Sequence, residues 1–369
     1  MKKFLYITDQ EEYTDHSFIG PLFEKYLKEY CEVDIVYFSD FKSDTELKEN
    51  RFVVPSKFQS EIMEELNRNE IDVSLYSYVV VRNIGTILKS VLKSRSKYNY
   101  KVGYRLSFPK RRAKMEVDQA NNKTSFLDIV QNKIKTFSET NMINQCDLFL
   151  PTSQRMKEEY FDDVTIKTFI SPLCIDPERL HENIQHNDDE KRFFYAGTLD
   201  KLREFDVVLN AFSQVRTNKW KLMISTKDPE YTQNIINTYP SIKNKIEVHN
   251  AQSKDELLDL IAQADIGVSL LPDIPLFNTS TPVKILDYYT SSIPCFMTNN
   301  ANNNRVFTDE YDAWFCNFTK ESIQEKIEYI ITLTKDEVSK VGQNGQDRLL
   351  NIRNYKNLAK NLVKTLDSL

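Results

Sequence analysis

The sequence predicts an α/β protein built from two doubly wound parallel sheets, and three observations carry that prediction. Short apolar runs alternate with amphipathic helical stretches along the chain, the rhythm of strand–helix–strand units. At 369 residues the chain is long for one hydrophobic core, so two domains are expected. Between 171 and 190 the rhythm breaks into a segment with Pro172, Pro177 and the polar run His186-Asn187-Asp188-Asp189-Glu190, which reads as the linker.

Before the linker, apolar and β-branched runs such as Phe4-Leu5-Tyr6-Ile7 and Val79-Val80-Val81 place strands at 3–8, 33–38, 73–81, 101–106, 147–151 and 166–170. Patterns of period 3.6 place helices at 18–30, 56–68, 84–94, 126–143 and 154–160. After it, strands are expected at 192–196, 221–225, 246–250, 266–270 and 295–298. Helices are expected at 205–215, 229–239, 254–264, 282–290, 322–333 and 337–351. The asparagine-rich stretch 299–304 reads as a turn-forming loop. The resulting domains are 1–171 and 172–351, with a C-terminal helix at about 352–369 packing back on the first. In such sheets ligands collect at the carboxyl ends of the strands, here in a cleft between the halves.

Composition excludes several classes. A net charge of −5 argues against a nucleic-acid binder. Only seven glycines are present, and no Walker A or GxGxxG pattern occurs. A phosphate site must therefore use helix ends and cations, and a dinucleotide-dependent dehydrogenase is disfavoured. Five scattered cysteines without a C-x-x-C give neither a zinc site nor a disulfide framework, which fits a reducing, cytoplasmic setting. The apolar run at 4–7 is too short for a secretory signal, and no run is long enough to span a membrane.

The richest segment is Ser280-Thr281-Pro282-Val283-Lys284. It reads as a helix start with a hydroxyl N-cap and Pro282 at the first helical position. Lys284 then stands in the first turn, where the macrodipole repels a cation, unless an anion sits between it and the free N–H groups of Val283 and Lys284. The second segment, Phe193-Phe194-Tyr195-Ala196-Gly197-Thr198-Leu199-Asp200-Lys201-Leu202-Arg203, reads as strand, glycine, then two cations. Gly197 permits close backbone approach, and Lys201 with Arg203 can reach a diphosphate, Arg203 bidentately. Asp287 reads either as a ligand contact or as a helix-surface acid paired with Lys284. Tyr288 and Tyr289 are candidates to flank a donor.

In the first half, the loop at 9–20 carries His16, Ser17 and Gly20 just before a helix, with His16 a candidate acid–base or phosphate contact. Arg82 and Ser107 each follow or end a strand and face the same cleft. Lys110, Arg111 and Arg112, with Lys114, form a basic run in an acidic protein. That run suits a solvated loop, an anionic lipid surface or a charged acceptor.

Together, Tyr195 to Leu199, Ala264 to Val268, Thr281 to Tyr288 and Ser292-Ile293-Pro294 resemble retaining GT-B glycosyltransferases of family GT4 (glycosyltransferase group 1). The resemblance is strongest over 190–300. It implies two Rossmann-like domains facing across a cleft, and a nucleotide diphosphate sugar held mainly by the second. Arg203, Lys201 and Lys284 would neutralise the diphosphate, with Gly197, Thr198, Thr281 and Val283 around it. Asp287 falls where the family has a glutamate that binds ribose hydroxyls. No metal or other cofactor is implied. The acceptor would be a glycan, a lipid-linked glycan or a protein, as in polysaccharide or glycoprotein synthesis. Two departures stand out: Thr279 replaces the first carboxylate of the family's E-x7-E pair, and Arg105 or Ser107 stands where many members carry a histidine. They leave room for a second reading, a catalytically silent GT-B subunit that stabilises a partner glycosyltransferase.

Overall fold

The computed structural model describes residues 2–11, 19–120, 123–184 and 189–369. The chain divides into two compact units, residues 1–172 with 355–369, and residues 173–354.

The first unit holds seven strands: β1 (Lys3–Ile7), β2 (Glu32–Ser39), β3 (Glu46–Lys48), β4 (Arg51–Pro55), β5 (Tyr76–Arg82), β6 (Lys101–Leu106) and β7 (Leu148–Pro151). Their order is β3-β4-β2-β1-β5-β6-β7, parallel throughout except for β3 on β4. Parallel strands are covered on both faces, so they read as unbroken apolar runs. Phe4, Leu5, Tyr6 and Ile7 are all fully buried. The order reverses between β1 and β5, which places a crevice outside the carboxyl ends of those two strands. The terminal helix Tyr355–Asp367 belongs to this unit. Tyr78 donates to Leu366 O at 3.1 Å, and Lys2 pairs with Asp367 at 2.6 Å.

Three local expectations change here. Residues 166–170 run beside β7 with only one bridge, Phe149 to Thr168, rather than a continuous ladder. β3, Glu46-Leu47-Lys48, is too short and polar to show a strand period. The basic run is not a loop but the start of a helix, Lys110–Ala120.

The second unit is an all-parallel six-stranded sheet of β8 (Lys191–Ala196), β9 (Trp220–Ser225), β10 (Ile246–His249), β11 (Ile266–Ser269), β12 (Cys295–Thr298) and β13 (Trp314–Cys316). The order β10-β9-β8-β11-β12-β13 reverses between β8 and β11. Instead of a loop at 299–304 the structure has a short helix, Ala301–Val306, because Asn300 accepts from Asn303 N and caps it. Asparagine at an N-cap and asparagine in a turn look alike in sequence.

One tyrosine ties this sheet to the helix Val283–Thr290. Tyr288 Oη accepts from Ala196 N at 3.1 Å and donates to Val268 O at 3.1 Å, joining β8 to β11 beneath their carboxyl ends. Gly267 makes that possible, since a Cβ there would lie 2.1 Å from the Tyr288 ring. The helix start is thereby held at the point where strand order reverses.

Candidate functional site

Beyond β8 the chain turns at Gly197, whose φ of 143° lies where side-chain-bearing residues are strained. Gly197 N bonds Ser225 O at 2.9 Å, so the turn is anchored to β9. Asp200 then accepts from Arg203 N and closes a 3₁₀ turn, Lys201–Arg203. Its other carboxylate oxygen holds the Arg203 guanidinium and accepts from Thr198 Oγ1 at 3.1 Å. Arg203 also stands 6.0 Å from the Phe277 ring centroid, while Lys201 is exposed.

Lys284 reaches this turn from the helix opposite. Its ammonium lies 3.7 Å from the Tyr195 ring centroid, and a Cβ on Gly197 would fall 3.2 Å from it. Nζ is buried and has no hydrogen-bond partner among the described residues. Burial first, and the nearby Arg203 charge second, push its pKa down to about 7. Burial likewise raises the Tyr195 hydroxyl to about 12, so that ring stays neutral and its face attracts a cation. Two cations and a close-approach glycine thus converge at the reversal point of the sheet, one cation without a counter-charge.

Several expectations need correction. Pro282, not a hydroxyl residue, is the N-cap of Val283–Thr290, and no side chain caps that end. Thr281 is buried, and its Oγ1 instead accepts from Arg353 at 2.6 Å and Asn302 at 3.1 Å. Asp287 is paired with Lys254, not Lys284, because the N-terminus of the helix Lys254–Ala262 brings that lysine alongside. Tyr288 and Tyr289 do not flank a ligand, since both are fully buried core rings. Thr279 is buried as well.

In the first unit, Arg82 Nε donates to Ser107 Oγ at 3.0 Å, so these two predicted residues meet. Around them stand Thr8, Asp9 and Asn83, which the sequence reading did not assign. Arg82 pairs with Asp9 at 2.8 Å and reaches Thr8 Oγ1 at 3.2 Å. Asn83, at φ 58°, donates to Ser107 Oγ at 2.8 Å and to Asp9 at 3.1 Å. This cluster occupies the reversal point of the first sheet. Gly20 is buried in the helical segment Ile19–Tyr26. His16 and Ser17 lie outside the described residues. Arg105 is buried in the core, where desolvation lowers its pKa to about 10, and donates to Ser171 O at 3.2 Å.

Arg111 and Arg112 are held against neighbouring side chains rather than extended into solvent. Arg111 pairs with Glu139 at 2.5 Å, and Arg112 lies 4.1 Å from the Phe161 ring centroid. Among the described residues no three His, Cys, Asp or Glu side chains group as metal ligands, and no helix is long and apolar enough to cross a membrane.

Two Rossmann-like units, the second with cations gathered at its reversal point, make a GT-B fold. Residues 176–348, nearly the whole of the second unit, match the family described as Glycosyl transferases group 1. Among solved structures it is similar to sucrose-phosphate synthase (tll1590) from Thermosynechococcus elongatus, with 11% identity, TM-score 0.73, 100% of this chain and 99% of that one covered. It is also similar to Anabaena Alr3699/HepE, solved in complex with UDP and glucose, with 10% identity, TM-score 0.70 and full coverage of both chains. A glycosyltransferase from Rickettsia africae ESF-5 gives 11% identity and TM-score 0.67 over 100% and 98%. At such identities the likeness bears on the fold. No match was found among curated proteins.

Proposed function

We propose that the protein transfers a sugar, with retention, from a nucleotide diphosphate sugar to an acceptor hydroxyl in glycan, polysaccharide or glycoprotein synthesis. The observation that carries this reading is the buried, unpartnered Lys284 ammonium beside Gly197 and the Arg203 turn. The diphosphate would bind between Lys284, Arg203 and Lys201, with Val283 N–H and Lys284 N–H at the uncapped helix start. Gly197 and Thr198 would line it, and Asp287 would accept from the ribose hydroxyls once Lys254 yields. As the glycosidic bond breaks, charge grows on the diphosphate, and fixed cations and N–H dipoles stabilise it without reorganising. Thr281 serves indirectly, holding the helix start through Arg353. Arg82 and Ser107, with Asp9 and Asn83, would meet acceptor hydroxyls, and His16, Ser17 and Gly20 remain candidates for the same side. The test is diphosphate release across a panel of nucleotide sugars, with thermal shift on binding. A protein neither stabilised by any nucleotide sugar nor able to cleave one overturns the reading. Co-purification of such a protein with an active partner would support the silent-subunit reading, which Thr279 in place of a carboxylate favours.

The exposed face of the helix Phe126–Ile143 supports peripheral contact with an anionic bilayer. Phe126, Leu127, Val130, Ile134 and Phe137 share that face and are 37% to 78% exposed. Asp128 and Glu139 turn to the opposite side, and residues 110–143 hold seven lysines and arginines against four acids. Ile134→Asp should abolish co-sedimentation with anionic vesicles.

A further inference from the structure

Beside the carboxyl ends of β5 and β6 the first unit encloses a cavity of about 310 Å³. Leu106, Phe108, Met142 and Phe161 form its apolar side. Arg111, Arg112, Lys135 and Glu139 form its charged side. Arg111 is neutralised by Glu139 and further held by Thr136 at 3.0 Å.

Arg112 is different. The Phe161 ring fixes its guanidinium plane from one face, and Nε and Nη2 are buried with no hydrogen-bond partner among the described residues. Those two N–H groups form one edge of the guanidinium, the fork that grips two oxygens of a phosphate or carboxylate. Leaving buried donors unsatisfied is unfavourable, so the edge is set for an acceptor that no described residue supplies. Lys135, exposed at the rim, adds a second uncompensated positive charge. An excess of two positive charges suits a phosphate monoester, which carries about −1.5 to −2 near neutrality.

We propose that this cavity binds a phosphate monoester on the acceptor. The oxyanion sits in the Arg112 fork, Lys135 closes over it, and the attached ring or chain lies against Phe108, Met142 and Phe161. Asn83 lines the same cavity and bonds Ser107 and Asp9, so a molecule anchored there extends toward the polar cluster at the reversal point. Calling the ligand an acceptor rests on the glycosyl-transfer reading. The anion site does not.

The experiment is calorimetric titration of inorganic phosphate into full-length Lys284→Met protein, in which the donor-side cation is absent. Saturable binding is expected, weakened at least tenfold by adding Arg112→Gln and about threefold by adding Lys135→Gln. A hexose phosphate and a short prenyl phosphate in micelles, run in parallel, then separate a soluble from a lipid-borne acceptor. No saturable uptake at tens of millimolar phosphate, or equal uptake in both added variants, overturns the proposal. If Arg112→Gln fails to fold, the rim variant Lys135→Gln decides. Nucleotide-sugar binding by the unmodified protein reports on the donor reading separately, so either can fall alone.

Discussion

The Lys284 ammonium stands over the Tyr195 ring, 3.7 Å from its centroid, and no other group among the described residues shares a hydrogen bond with it. Desolvation of a lone cation is unfavourable, and one aromatic face returns only part of that cost. Such an arrangement weakens the resting protein.

Replacing this lysine should separate stability from function. Lys284→Met keeps the volume and removes the buried charge, so the melting temperature should rise by a few degrees at pH 6. Diphosphate release from the donor should fall about 100-fold, comparable to losing one preorganised donor. Paired melting curves and rate measurements check both signs.

Donor affinity should depend on pH through the same group. With a pKa of about 7 when the site is empty, Lys284 is largely neutral at pH 8, and a bound diphosphate recharges it. Binding then takes up a proton, so affinity is highest below pH 7 and falls by up to tenfold per unit above it. Calorimetry between pH 6 and 9 with a nucleotide sugar should show this slope, and Lys284→Met should flatten it. Stability of the ligand-free protein runs the other way. The unfolded state holds the proton up to about 10.5, so the lysine's contribution becomes less unfavourable as pH rises from 7 toward that value.

If Arg203 binds the donor diphosphate, Asp200, which holds its guanidinium, competes for it. Asp200→Asn retains an oxygen to cap the turn but releases the guanidinium, and the donor KM should drop about threefold to tenfold. Arg203→Ala should lower turnover about 100-fold with little change in folding, as the side chain is partly exposed. Steady-state kinetics on the two variants, moving in opposite directions, would confirm the competition. An Arg203→Ala enzyme of near-normal rate would remove Arg203 from the site.

Gly267→Ala should be severe although it lies away from any ligand. A methyl group 2.1 Å from the Tyr288 ring cannot be accommodated without moving the helix start, at a cost of about 3 kcal/mol or more. Chemical denaturation should register the loss, and surviving protein should bind donor poorly.

Much of this was legible beforehand. Apolar runs at 4–7 and 193–196 gave the strands, because both faces of a parallel strand are buried and the signal is continuous. Lys284 stood out because a cation in a first helical turn opposes the helix dipole. Asp200, Lys254, Asp9 and Arg353 were not. Each acts through a partner from 3 to 73 residues away, and a single sequence carries no trace of which side chain meets which. The Arg112 fork was equally hidden, since a basic run reads the same whether its charges face water or a ring.

By itself, then, the amino-acid order determined two α/β halves and the segments at 193–203 and 280–287 where cations gather. Only folding decided that Tyr288 would pin the helix start under β8 and β11, that Asp200 would hold Arg203, and that the Lys284 ammonium would be buried without a hydrogen-bond partner among the described residues. Periodicity and local propensity are properties of neighbours in sequence, whereas charge pairing and burial are settled by which distant side chains exclude water from one another.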